Sequence, residues 1–541
     1  MMKRNIMNTK YIWLLLTLIA FTACDSDDDS TDNSPEPLPA LTAGEADFSN
    51  YVAVGNSLTA GFTDNALFIA GQQNSISNIL ATQFSLAGGG SFSMPLMSDN
   101  TGGVLFGGNQ ILDNRLVFDG SGPVSLEELI GPVSPTTDLA VNNPAGPFNN
   151  MGVPGAKSFH LLFDGYGNPG GLLADPPTAN PFFVRMASGP TATVLGDAMD
   201  QSPSFFSLWT GNNDVLGYAT SGGDGTDPIT DIATFTGSFN LLITTLSSGG
   251  AQGVVGNIPD IKALPHFTTV PYAPLDPTNP DFGPQIPTLN TVFGALKPIF
   301  DAIDPSRNIV FSETSASAVV INDESLVNIG PQITGALNAS ETFPLFVQQF
   351  GLPAEAAPDV AVLLGAIYGQ SRQATEDDLL LLPSSSIIGT VNTDTFAYLQ
   401  TQGLPAALAG QFSVEGVTKP LDDKWVLIPS EQDEISSATA SFNAVIKDAV
   451  DATGVAFVDA NALMNQIASS GIPSGDFILT AALVQGGAFS LDGVHPTARG
   501  NALIANEFLK AIDVTYGSNF EASGNLLNIG NFPTSYPATL P

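Results

Sequence analysis

Short apolar runs of strand type alternate with segments of helical pattern from residue 48 onward, and this alternation limits the possible folds more than any other feature. The candidate strands are YVAVG (51–55), SFFSLWTG (204–211), GVVGNIP (253–259), NIVFSE (308–313) and VAFVDA (455–460). Strands separated by helices form parallel sheets that are covered on both faces. The sequence therefore predicts a three-layer α/β/α sandwich of flavodoxin-like type around a five-stranded, mainly parallel sheet.

Two amphipathic segments near the C-terminus are the clearest predicted helices. The first follows Ser430, which is its predicted N-cap, and ends at Gly454. The second is TARGNALIANEFLKAID, where Ile504, Phe508 and Ile512 recur at intervals of four residues. This spacing places the three apolar side chains on one face, as expected for a helix that packs on a sheet.

Two long segments, residues 63–148 and 271–430, interrupt the predicted sheet. The chain contains 54 glycines and 40 prolines among 541 residues, so turns and ordered loops must account for much of its length. We expect both segments to be ordered insertions within one domain, residues 47–515. Residues 516–541 are then predicted to be a C-terminal tail.

The first 46 residues have the pattern of a targeting signal and a spacer. Lys3, Arg4 and Lys10 precede the apolar run YIWLLLTLIAFTA and then Cys24, which is the order found in secretory signal peptides. The segment FTAC resembles a bacterial lipobox, which implies a signal peptide of residues 1–23 and lipidation of Cys24. Residues 24–46 are acidic and rich in Ser and Pro, a composition typical of a disordered tether.

The charge of the chain bears on its partners and its location. The chain has 52 acidic and 15 basic residues and a net charge of -37, which opposes binding to nucleic acid or to an anionic bilayer. The lipid on Cys24 is therefore the only predicted attachment to a membrane. The sequence SDDD after this cysteine resembles a surface-export signal, so we expect an outer-membrane lipoprotein on the cell surface of a gram-negative bacterium. We expect the protein to be a monomer.

A serine follows the first predicted strand at a position suited to a nucleophile. Ser57 lies two residues after Gly55 and opens a predicted helix. This position exposes a hydroxyl at the carboxyl end of a sheet, where ligands of open α/β sheets bind. The segment is not the G-x-S-x-G elbow of α/β-hydrolases, because Thr59 stands in place of the last glycine. Serine is also a common N-cap, so Ser57 alone does not establish a function.

The segment LDGVHPTARG supplies partners for such a nucleophile. A serine hydroxyl needs a base near neutral pH, and the imidazole of His495 is suited to that role. Asp492 lies three residues earlier and is placed to orient the imidazole and to stabilise its charged form. The chain has only two other histidines, His160 and His266; we expect a structural role for the first, and a loop role or a place at the cleft for the second.

Oxyanion donors are the remaining requirement for acyl transfer. Asn213, in WTGNND, follows another predicted strand and so lies at the same end of the sheet, whereas Asp214 is expected to brace its loop. The segment NMGVPGAKS (150–158) contains glycines that permit close approach of the backbone to a ligand.

Together the four segments resemble the four blocks of the SGNH, or GDSL, hydrolase family. GNSLTAG resembles the nucleophile block, NMGVPGA the second, GNND the third and DGVH the fourth. The resemblance implies serine ester hydrolysis by a triad of Ser57, Asp492 and His495. It also implies an oxyanion hole formed by the amides of Ser57 and Gly155 and the side chain of Asn213, with no metal and no organic cofactor.

Asn56 departs from the family pattern, which usually has an acid at this position. The resemblance assigns the triad acid to D-x-x-H, so Asn56 removes no proton-transfer group, and we expect the chemistry to survive. The predicted function is a surface esterase or lipase that acts on acyl lipids or acylated glycans. The alternative is a noncatalytic lipoprotein that uses the same scaffold to bind a lipid or a glycan.

Overall fold

The computed structural model describes residues 37–540. The predicted signal peptide, residues 1–23, and Cys24 lie outside the described residues, and the predicted tether is described only from residue 37. Residues 37–40 contain no helix or strand. From Leu41 onward the chain forms one compact unit.

A five-stranded parallel sheet lies at the centre of this unit. Its strands are β1 (Tyr51–Gly55), β2 (Asn150–Gly152), β3 (Phe205–Trp209), β4 (Gln252–Gly256) and β5 (Ala456–Val458). Their order across the sheet is β5-β4-β3-β1-β2, and every neighbouring pair is parallel. This is the flavodoxin-like order. The predicted α/β class and five-stranded sheet are confirmed.

Four of the five predicted strands form the sheet, but one is wrong. Residues 308–313 form no strand; Ile309 and Phe311 are instead buried in a second hydrophobic cluster. The fifth strand is β2, which pairs with β1 so that Gly152 lies beside Gly55. A side chain on Gly152 would overlap the backbone of Ala60, so this edge strand requires glycine there. Every residue of β1 and β3 is buried, as expected for parallel strands covered on both faces.

The helices that contact the central sheet pack in two groups. The larger and site-related helices are α1 (Ser57–Ala60), α2 (Ile76–Leu86), α3 (Val194–Met199), α4 (Asn213–Thr220), α5 (Ile232–Ser247), α6 (Ile286–Ile303), α7 (Gly330–Ala339), α8 (Ala357–Tyr368), α9 (Pro429–Thr453), α10 (Ala460–Ser469) and α11 (Ala498–Tyr516). Helix α11 packs on α2 and on β4 and β5, whereas α3, α4, α5 and α9 form another packed group that contacts β1, β2 and β5. This arrangement is compatible with a three-layer sandwich.

The two predicted C-terminal helices are present with one change. Helix α11 buries Ile504, Phe508 and Ile512 as predicted. Helix α9 ends at Gly454, which has the left-handed φ of 71°, but it begins at Pro429, and its N-cap is Ile428 and not Ser430. The Ile428 N–H donates to the Glu431 carboxylate, so an acid of the first turn satisfies the helix start without a side-chain cap.

Smaller elements complete the unit. Further helices are Ile69–Gln73, Leu126–Ile130, Pro181–Val184, Pro265–Thr268, Phe343–Gln349, Thr393–Thr401 and Ala406–Gln411. Antiparallel strand pairs are Val104–Phe106 with Asn109–Leu112, Leu116–Phe118 with Pro123–Ser125, Val320–Asn322 with Ser371–Gln373, Leu379–Leu380 with Val426–Leu427, and Ile472–Ser474 with Phe477–Leu479.

The segment 270–428 has its own buried cluster, to which Phe293, Phe300, Leu364 and Tyr368 belong.

No single helix within residues 37–540 has the length and apolar composition needed to cross a membrane. The helices Phe343–Gln349 and Ala354–Tyr368, bent by 116°, meet the criterion only as a pair. After α11 the chain remains packed on the core, where Phe520, Ile529 and Tyr536 are buried.

Candidate active site

The predicted site residues lie where the sheet reverses its strand order. The chain passes from β1 to β2 on one side and then returns to place β3 on the other side of β1. In open α/β sheets, the carboxyl ends of the strands at such a switch point form a crevice for ligands. Ser57 follows β1 and Asn213 follows β3, so the topology brings both to this crevice.

Ser57 is the first residue of α1 and is 6% exposed. The Asn56 side chain caps this helix, because its Oδ1 accepts the Leu58 N–H at 3.1 Å. The Asn56 Nδ2 is buried and has no hydrogen-bond partner among the described residues. A side chain on Gly55 would overlap the Trp209 carbonyl oxygen and the Thr59 hydroxyl, which explains the glycine at the end of β1. Asn56 therefore caps the N-terminus of α1, the helix that begins at Ser57.

Asp492 holds His495 through both its side chain and its backbone. The distance from Asp492 Oδ2 to His495 Nδ1 is 3.0 Å, and Asp492 Oδ1 accepts the backbone N–H groups of Val494 and His495, each at 2.8 Å. Burial would raise the pKa of Asp492, but the facing imidazole and these hydrogen bonds hold that pKa well below its usual value. Asp492 is thus an ionised group that orients His495 with Nε2 away from it, as a triad acid does.

Ser57, Asn213 and His495 line one narrow cavity. Most of its wall is apolar and includes Leu216, Ile261, Leu264, Met464, Ile467 and Ile504. Within residues 37–540, the Ser57 hydroxyl makes no hydrogen bond to His495. Catalytic hydrogen bonds are often long in the unliganded state and tighten when substrate binds. The shared cavity therefore brings together the three groups that the sequence placed hundreds of residues apart.

The predicted oxyanion donors differ in whether they already donate a hydrogen bond within the protein. The N–H groups of Ser57 and Gly155 have no acceptor within residues 37–540, and Gly155 has a φ of 78° that favours glycine. Asn213 Nδ2 donates one hydrogen to the Ala156 carbonyl at 2.9 Å, which fixes the amide and leaves its second hydrogen. Gly155 is not among the residues that line the described cavity, whereas Asn213 is.

The three other polar residues considered from the sequence have positions that support the site loops. Asp214 is buried and accepts the Ser158 N–H and hydroxyl, both at 2.8 Å, so it braces its loop as predicted. His160 accepts the Lys157 N–H, and burial lowers the His160 pKa to about 4. The His266 N–H donates to the Gly493 carbonyl, and its Nδ1 lies 3.3 Å from the Asp492 carbonyl, so His266 supports the D-x-x-H loop without lining the cavity.

Sequence reasoning missed three parts of the site. Phe62 packs against the His495 ring, with 4.7 Å between ring centroids, and helix α10 supplies apolar cavity wall. Asp64 and Asn65 contact the loop that carries Asp492. The dipeptide Asp-Asn between Thr63 and Ala66 is a turn signal that was available in the sequence.

A separate carboxylate cluster lies outside the site. Oxygens of Glu324, Asp423 and Glu431 lie within 4.8 Å of one another. Burial, followed by the neighbouring carboxylates, raises the pKa values of Asp423 and Glu431. Acidic clusters are common without a bound ion, so this group does not by itself assign a metal site.

No protein-family model, curated protein or solved structure matches the chain.

Proposed function

We propose that the protein is a serine ester hydrolase of the SGNH type. One observation carries the proposal: His495, oriented by Asp492 at 3.0 Å, lines the same cavity as Ser57 and Asn213. A nucleophile, an oriented base and a side-chain donor are the groups that acyl transfer requires. The resemblance of the four sequence blocks to the SGNH family supports the same assignment.

The reaction begins when His495 Nε2 takes the Ser57 proton and Oγ forms a bond to the ester carbonyl carbon. The carbonyl oxygen becomes an oxyanion that accepts hydrogen bonds from Asn213 and from the N–H groups of Ser57 and Gly155. The intermediate collapses, the ester C–O bond breaks, and His495 gives its proton to the leaving alcohol. Water then attacks the acyl-enzyme with His495 as base, and collapse releases the acid and returns the proton to Ser57.

The cavity favours an ester with a hydrocarbon acyl group. Ile261, Met464 and Ile467 are buried in the protein yet line the cavity, so an acyl chain bound there would replace contacts with water by apolar contacts. The apolar segment 358–369 lies elsewhere, because Ala361, Leu364 and Tyr368 are buried in the second cluster. We propose acyl lipids or acylated glycans as substrates, with the chain tethered to the outer membrane by lipidated Cys24 and acting as a monomer without a metal or organic cofactor.

Ser57→Ala tests the proposed nucleophile. It should lower kcat for p-nitrophenyl esters at least ~10³-fold, as loss of a triad residue does. Ser85→Ala, at an exposed serine of α2, is the matched control and should retain wild-type activity. Equal activity of Ser57→Ala and wild type would exclude Ser57 as nucleophile. A chain that binds esters in the cavity without turnover would instead be the noncatalytic binding protein.

Ile467→Trp tests the proposed acyl site. In the wild type, each added methylene should raise kcat/KM about fourfold until the cavity is filled, since burial of one methylene is worth ~0.8 kcal/mol. A tryptophan at position 467 should fill the cavity and lower activity on octanoate esters while leaving acetate esters unchanged. Val514→Trp, at a residue that is 88% exposed, is the control. A wild-type preference for acetate would contradict the acyl site.

A further inference from the structure

Residues 63–66 form a tight turn with two left-handed residues at its centre. Thr63 and Ala66 exchange backbone hydrogen bonds of 3.0 Å, and Asp64 and Asn65 have φ values of 51° and 61°. Positive φ at both central residues is the geometry of a type I′ turn. Residues other than glycine adopt this conformation at an energetic cost, and Asn and Asp tolerate it best. The surrounding contacts must therefore hold this turn in place.

Those contacts join the turn to the loop that carries Asp492. The Asn65 N–H donates to Asp492 Oδ2 at 2.8 Å, and the Leu491 N–H donates to Asp64 Oδ1 at 3.1 Å. The Asp64 N–H donates to the Ser490 hydroxyl at 3.1 Å. The Thr63 hydroxyl adds a bond to the Pro496 carbonyl at 3.1 Å. Three consecutive residues thus bind both sides of the D-x-x-H loop.

The turn completes the hydrogen bonding of the Asp492 carboxylate. Asp492 Oδ1 accepts two N–H groups of its own loop, whereas Oδ2 faces His495 Nδ1 and accepts the Asn65 N–H. Rotation of this carboxylate away from His495 would therefore break bonds on both oxygens. The turn places the backbone N–H of Asn65, and the Asp64 carboxylate anchors the turn by accepting the Leu491 N–H.

Asp64 is itself a buried titratable group, 2% exposed. Its Oδ2 has no hydrogen-bond partner among the described residues. Arg115 is also fully buried, and its opposite charge interacts with Asp64. Burial of an ionised carboxyl group is unfavourable in general. What Asp64 supplies to the loop of Asp492 is an acceptor oxygen for the Leu491 N–H, which an amide oxygen at the same position can also supply.

We propose that Asp64 is a positioning residue that acts through Asp492, with the Asn65 N–H as the contact that fixes the triad acid. The proposal rests on the proposed hydrolase function. Loss of the Asp64 carboxyl should leave the acyl cavity intact but should allow Asp492 and His495 to move relative to Ser57. It should therefore lower kcat and leave KM nearly unchanged.

Asp64→Gly is the sharpest variant, because glycine adopts a φ near 51° without strain, removes the side chain that accepts the Leu491 N–H, and keeps the backbone N–H that donates to Ser490. It should lower kcat about 10- to 100-fold, the range expected when catalytic groups shift by about 1 Å, with KM within twofold of wild type. Asp64→Asn, whose amide oxygen still accepts the Leu491 N–H, should recover kcat to within about threefold. Asp281→Gly, at an exposed carboxyl outside the site, is the matched control and should equal wild type.

Unchanged kcat in Asp64→Gly, or equal losses in the Gly and Asn variants, would overturn the proposal. Thermal melting of each variant checks folding. If Asp64→Gly does not fold, Ser490→Ala is the alternative variant, because it removes the hydroxyl that accepts the Asp64 N–H. It should lower kcat about 3- to 10-fold at constant KM. An unchanged kcat in Ser490→Ala would overturn the proposal. Absence of esterase activity in the wild type would instead refute the proposed function, so the two failures are distinguishable.

Discussion

Asp64→Asn should change how the stability of the protein depends on pH. The Asp64 carboxyl is 2% exposed, and only one of its oxygens has a hydrogen-bond partner, the Leu491 N–H. Burial, with the nearby charge of Asp492, raises the pKa of Asp64 from 3.8 to about 7, although Leu491, Arg115 and His495 oppose the increase. The folded protein therefore binds this proton more tightly than the unfolded chain does.

The raised pKa fixes the sign and the upper limit of the effect. Below about pH 4, Asp64 is protonated in both the folded and the unfolded state, and it costs no stability. As the pH rises from about 4 to about 7, the unfolded chain loses the proton first, so the free energy of unfolding falls. The change of pKa from 3.8 to about 7 corresponds to at most about 4 kcal/mol at 1.36 kcal/mol per pKa unit. Asparagine has no proton to lose and avoids this cost.

Urea denaturation of wild type and Asp64→Asn at pH 4.5 and pH 8.5 measures this difference. The variant should gain stability relative to wild type on going to pH 8.5, by a few kcal/mol at most. Asp448→Asn, at an exposed carboxyl of α9, is the control and should follow the wild-type pH dependence. Parallel changes in the stability of wild type and Asp64→Asn between the two pH values would contradict the raised pKa of Asp64.

Three further substitutions test the chemical roles. Asp492→Asn should lower kcat about 10³- to 10⁴-fold in steady-state assays, because an amide cannot accept all of the N–H groups that now bind the carboxylate or stabilise the imidazolium; a loss below tenfold would exclude it as triad acid. Asn213→Ala should lower kcat about 10²- to 10³-fold as an oxyanion donor, and an unchanged kcat would remove it from that role. Asn56→Asp should keep kcat within about fivefold, since Asn56 Oδ1 already provides the cap to Leu58; a gain of two orders of magnitude would mean that Asn56 impairs the site.

The sheet was largely predictable from the sequence because short, almost wholly apolar runs that end near a glycine are typical of buried parallel strands. The two errors have physical causes. Strand β2 is only three residues long, Asn150–Gly152, and carries no apolar run, so the sequence does not predict it as a strand. Residues 308–313 have strand composition, but Ile309 and Phe311 are buried by packing within the 270–428 cluster and not by strand pairing.

The candidate site was predictable in part for the same reason. Ser57, Asn213 and the Asp492–His495 loop each follow a strand or precede a helix with local signals, so their sequence context indicated one end of the sheet. The contact of Asn65 with Asp492 joins segments 427 residues apart, and helix α10 is held by the Asn461 N–H, which donates to Asn257 Oδ1 204 residues away. Local sequence patterns do not encode such contacts, and only the folded chain reveals them.

Labelling with a fluorophosphonate, followed by mass spectrometry of the labelled peptide, tests whether Ser57 is an activated nucleophile. The reagent modifies serine hydroxyls that a neighbouring base has activated. We predict one label on Ser57 in the wild type, no label in Ser57→Ala, and a strongly reduced labelling rate when His495 is replaced by alanine. No labelling of the folded wild type, or a label on a serine outside the cavity, would contradict the claim that Ser57 and His495 form an active catalytic pair.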